Sequence, residues 1–133
     1  MLLTDIKFGD EISVTLFSDI AQRCANEIKS HQEKKDTNKR TQLRHFYDEL
    51  VMWHDKVFQE RDEEKRNTTY QNLAPYIQML NAKVAYAKGR GHVNKNFEDF
   101  FSHCVKQITN PQTLKQCKLF FEAFLGYYRA LND

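Results

Sequence analysis

Chain breakers are scarce in this sequence, with four glycines and two prolines among 133 residues. Combined with many long charged side chains, that scarcity favours helix. No apolar run approaches the roughly 20 residues that a bilayer crossing requires. The opening MLLTDIKFGDE lacks the basic start and apolar stretch of a signal peptide. Cysteines number three, Cys24, Cys104 and Cys117, an odd count with irregular spacing, so reduced thiols in a cytoplasm are expected rather than a disulfide framework. No pair of histidines or cysteines has the short CxxC or HxxxH spacing that fixes two ligands on one metal. There is no Ser-His-Asp elbow, Gly-rich phosphate loop or DxD-like carboxylate pair, and GRG at residues 89–91 is too short to be a nucleotide-binding glycine motif. No catalytic residue, cofactor or metal is therefore expected.

Charge is nearly balanced overall, with 20 Lys+Arg against 18 Asp+Glu, but it is not evenly spread. AKVAYAKGRGHVNK, residues 82–95, holds four cations and no acid, and KKDTNKRTQLR, residues 34–44, holds five cations and one acid. Each segment carries +4, so the remainder sums to −6. Positive charge gathered in a near-neutral chain points to a polyanion surface more than to a catalytic pocket.

The pattern predicts an all-α fold, a compact bundle of about five helices forming a single domain over residues 1–133, with residues 1–13 irregular and Gly9 as a break. A first helix is expected from Val14 to about His31, with Leu16, Phe17, Ile20, Cys24 and Ile28 as its stripe. The polar stretch to Arg40 reads as a loop or a solvated helix start, with Asp36 or Thr37 capping the next helix. Leu43, Phe46, Leu50, Trp53 and Val57 step 3, 4, 3, 4 along a second helix, which fades in QERDEEKRN. A third carries Leu73 to Ala87, with Pro75 in its first turn and Gly89 and Gly91 at its end. A short fourth holds Phe97 to Ile108, and Asn110-Pro111 opens a fifth with a seam of Leu114, Cys117, Phe121, Phe124, Tyr128 and Leu131.

Lys88, Gly89 and Arg90 would suit any helix C-terminus, where cations complement the dipole and glycine caps. Lys83, Tyr86 and Arg90, spaced i, i+3 and i+7 with Met79 extending the row, share one flank that capping leaves unexplained. A phenol between two cations can pack on a base or sugar while the cations hold phosphates. Arg40, Arg44 and Tyr47 repeat the arrangement, although cations near a helix N-terminus are mildly unfavourable. His54-Asp55 resembles a metal phosphohydrolase pair, yet His54 lies in the Trp53/Val57 seam and reads better as a partly buried core histidine. Phe120, Phe121, Phe124, Leu125, Tyr127 and Tyr128 put apolar bulk on more than one face of the last helix, which leaves some of it available to a neighbouring subunit.

QLRHFYDELVMW, LAPYIQMLNAKVAYAKGR and FFEAFLGYYR, in that order, resemble the small helical subunit of type III-A CRISPR effector complexes. The resemblance spans residues 41–129. It implies an all-helical, non-catalytic protein. It further implies that several copies stack along the effector and contact the backbone of the guide RNA/target RNA duplex without reading sequence. Other effector subunits and copies of itself are the implied partners, with no membrane. Arg44, Lys83, Lys88 and Arg90 are the matching basic positions. Lys39, Arg40 and Tyr86 join the expected RNA-binding set on charge and spacing alone. A protein-interaction adaptor with basic patches for acidic partners is the alternative reading, and a phosphohydrolase centred on His54-Asp55 the remote one.

Overall fold

The structure, a computed structural model, describes residues 3–131. Its elements are all helical. After a 3-10 turn at Leu3–Asp5, a π turn at Leu16–Ile20 runs into α1, Ala21–Ser30; α2 is Arg40–Phe58, α3 Glu63–Gln78, α4 Leu80–Gly89, α5 Lys95–Lys106 and α6 Pro111–Leu131. No strand occurs among the described residues. Only Met79 separates α3 from α4, so the two form one interrupted rod, and the bundle counts five such rods.

Residues 6–13 carry no regular element but are strapped to the bundle by two glutamines acting as backbone surrogates. Gln107 accepts from Phe8 N–H (3.0 Å) and donates to Ile6 O (2.7 Å), while Gln116 accepts from Gly9 N–H (2.7 Å) and donates to Gly9 O (2.9 Å). Ile6 is fully buried as a result.

α6 is the central helix, packing most extensively on α1 and α2. That position explains its excess of aromatics. Phe120, Phe121, Phe124 and Tyr128 are all fully buried, and only Leu125 and Tyr127 of that group are half-exposed. Of the bulk expected to be partly available to a neighbour, only Leu125 and Tyr127 remain so, because a helix with neighbours on several sides buries several faces. Phe100 lies 4.7 Å from Phe124 and Phe101 5.3 Å from Phe121, centroid to centroid, in tilted and edge geometries that suit ring quadrupoles. Cys24, Cys104 and Cys117 are free and buried in this core, and burial pushes all three thiols up, Cys24 to about 11.

Three helix boundaries differ from the sequence expectation. Neither Asp36 nor Thr37 caps α2; Lys39, in extended conformation, holds the cap position without a side-chain bond. The acidic half of QERDEEKRN starts a helix rather than ending one, because Asp62 accepts from Lys65 N–H at 3.0 Å and caps α3. Pro75 consequently lies inside α3 instead of in a first turn. The rod is interrupted shortly after it, where Met79 N–H turns back to Tyr76 O at 3.2 Å. Asn81 Nδ2 takes up the Gln78 carbonyl (3.0 Å), and Gln78 Nε2 reaches Val105 O (3.0 Å) in the last turn of α5 and Ile108 O (3.3 Å) just past it. Asn81 thus satisfies a carbonyl at the interruption, while Gln78 ties it to the end of α5.

Candidate nucleic-acid interface

The two cationic segments meet at one end of the bundle, and two asparagines join them. Asn38 has a left-handed backbone (φ 56°), which asparagine tolerates better than most residues, and no exposed surface. Each of its polar groups is engaged. Its N–H donates to His92 O (2.9 Å), its Nδ2 to Asn94 Oδ1 (3.1 Å), its Oδ1 accepts from Asn94 N–H (3.1 Å), and its carbonyl accepts from Tyr128 OH (2.8 Å). Asn94 in turn donates through Nδ2 to His31 O (2.6 Å) and caps α5 by accepting from Phe97 N–H (3.1 Å).

The 90–94 loop is itself set by the end of α4. His92 N–H donates to Ala87 O (2.9 Å) and Gly91 N–H to Lys88 O (3.0 Å), with Gly91 at φ 78°. This paired capping pattern is a Schellman motif, and glycine supplies the left-handed residue it needs. Gly89 is the last helical residue, and Gly91 does the capping.

Lys39 and Arg40 leave the clamp on one side, and Lys88 and Arg90 approach it on the other. Lys39 pairs weakly with Asp36 (3.5 Å), both side chains being largely exposed. Neither Arg40 nor Lys88 has a carboxylate within 4 Å among the described residues. Arg90 donates to Tyr86 OH (3.0 Å) and sits 5.8 Å from its ring, so the exposed phenol and guanidinium form one unit. Arg44 lies one turn further along α2, bonded to Asp48 Oδ1 (3.3 Å) and 5.8 Å from the Tyr47 ring. Lys83 is set apart. Its Nζ is bonded to Glu49 of α2, which offsets its charge.

Two groups were not expected from the sequence. Asn38 and Asn94 read there as solvated loop residues, because a polar side chain in a polar run carries no burial signal. Arg129 near the end of α6 faces Arg40 and Arg44 across an open groove of about 690 Å³ between α2 and α6. Tyr47 forms part of its wall, its hydroxyl donating to Glu122 Oε1 at 2.9 Å. Burial first, and that carboxylate second, push the phenol up to about 12, and bonds from Tyr47 and Lys118 hold the Glu122 carboxyl below its ordinary value.

Histidine chemistry is local by comparison. His54 is half-buried, stacked on Phe58 at 4.5 Å, with Nδ1 3.0 Å from Asp55 Oδ1. Among the described residues no three of His, Cys, Asp and Glu gather as a metal site would need. No described helix is long and apolar enough to cross a membrane.

Fold and site together define an all-α scaffold whose two cationic segments are joined at one end by the Asn38–Asn94 clamp. A family model described as Csm2 Type III-A matches residues 13–133. The chain belongs to that family, and so is a structural subunit of a type III-A CRISPR complex. Neither a curated protein nor a solved structure matches it.

Proposed function

We propose that this subunit is a non-catalytic, cytoplasmic RNA-binding scaffold that takes no cofactor. It grips the backbone of guide and target RNA without reading base identity. The observation that carries the reading is the Asn38–Asn94 clamp, which joins both cationic segments in one surface. A subunit serving many guides must not discriminate sequence, and point charges on phosphates meet that requirement. Lys39, Arg40, Lys88 and Arg90 form the grip, with Tyr86 packing beside it and Arg44 extending it along α2. Lys83 contributes less, because it shares its charge with Glu49.

A single near-neutral subunit binds weakly, and stacked copies supply avidity. An exposed strip supports contact with copies or other subunits. Met52, Tyr76 and Met79 are all exposed, and Trp53 stacks on Tyr76 at 6.5 Å.

Charge reversal tests the grip. Lys88→Glu with Arg90→Glu should weaken retention of single-stranded RNA at low salt by at least about tenfold, with the circular dichroism spectrum unchanged. The pair Arg61→Glu with Lys65→Glu, beyond the far end of α2, a 19-residue helix about 28 Å long, should bind like the parent. Equal loss from both pairs would mean diffuse charge and no grip.

A further inference from the structure

We propose that the groove between α2 and α6 seats one nucleotide unit, its phosphate held by Arg40 and Arg129 and its ring lying over Gly126. This rests on the RNA-binding reading and names the part of the strand that enters the protein.

Gly126 provides the first argument. It sits in the interior of a 21-residue helix, where glycine costs about 1 kcal/mol relative to alanine. Its backbone is not left-handed, and a Cβ built on it would meet nothing within 4 Å. Neither turn geometry nor close packing calls for glycine here. What its missing side chain leaves is an open stretch of groove floor beside the half-exposed Leu125.

Charge provides the second. Arg40 and Arg129 both line the groove, both are exposed, and neither has a carboxylate within 4 Å among the described residues. Guanidinium forks match phosphate oxygens two at a time. Arg44, by contrast, is held by Asp48 and faces the Tyr47 ring, so that wall is ordered before any ligand arrives. At about 690 Å³ the groove falls within the range of small-ligand sites, and its open sides let a strand continue.

The distribution of acids decides the class of ligand. Asp48 and Glu122 line the same groove, bonded to Arg44 and to Tyr47 and Lys118, and their remaining lone pairs can accept from the amino groups of a base, which an acidic peptide lacks. A bare anion would leave the Leu125–Gly126 floor and the Tyr47 wall without purpose. A nucleotide uses the cations, the floor and the acceptors together.

The full chain, isotopically labelled, is titrated separately with adenosine 5′-monophosphate, adenosine and inorganic phosphate while amide resonances are followed. The nucleotide should shift Gly126 and residues 41–48, and adenosine or phosphate alone should need at least about tenfold more for the same shift. Gly126→Leu, which fills the floor without touching a cation, should abolish the nucleotide shifts and weaken single-stranded RNA binding several-fold. Should that variant lose helicity, Arg129→Gln gives the same readout. Overturning results are an absence of groove shifts, phosphate as effective as the nucleotide, or a folded Gly126→Leu that binds nucleotide like the parent. If RNA binds the parent and Gly126→Leu equally, the groove fails while the RNA reading stands. If the nucleotide shifts the groove but RNA is not bound, the groove stands and the RNA reading fails.

Discussion

Asn38 has no exposed surface, a backbone that few residues adopt without strain, and a partner for every polar group. Truncating it removes two side-chain bonds and strands the Asn94 N–H in a partly buried setting, so Asn38→Ala should cost about 2–4 kcal/mol in urea unfolding. RNA affinity should fall with it even though no charge changes, because the two loops lose their tie. A variant of parental stability would mean that the clamp contributes nothing. The sequence announced none of this. Its cations were visible as charge, but Asn38 and Asn94 lie 56 residues apart and nothing in either polar loop reports the other. Arg129 was hidden differently: it is a lone cation, and only packing brings it opposite Arg40 and Arg44.

The helices differ in how far periodicity exposes them. The α2 seam of Leu43, Phe46, Leu50 and Val57 is fully or almost fully buried as its spacing predicts, with Trp53 half-exposed. α5 follows its seam as well, and α6 does so from Leu114 to Tyr128, while Leu131 at the end of its seam is exposed. The start of α3 is not legible in the sequence, since EEKRNTT has no apolar residue and only the Asp62 cap marks the beginning. Pro75 then looked like a first-turn residue by default. At this scale the buried groups of α1, α2, α5 and α6 give a pH dependence. Burial raises the thiols of Cys24, Cys104 and Cys117 above 9 and the phenols of Tyr47 and Tyr128 from 10 to about 12. The unfolded chain releases these protons first, so stability is complete below the unfolded values and falls as pH rises from about 9. Urea midpoints should hold near pH 8 and drop steadily toward pH 11, and Tyr128→Phe should flatten part of the drop. A midpoint constant to pH 11 would contradict the burial.

For the molecule as a whole, the consequential feature is that charge separated along the chain converges in space. Segments 34–44 and 82–95 each carry +4 within a chain of net +2, and the fold sets them side by side through Asn38, His92 and Asn94. Family membership gives the subunit its place in a type III-A CRISPR complex, and convergence gives that place a physical use. On the RNA-binding proposal, a one-surface grip would release counterions from a single strand through both segments at once. The decisive measurement is therefore the salt dependence of binding to a short unstructured RNA, compared among the parent, Arg40→Glu and Arg90→Glu. Each substitution, although on a different segment, should lower the slope of log affinity against log salt by roughly 0.7 or more on that same RNA. Slopes unchanged by either substitution, or by one of the two, would contradict a single surface built from both segments.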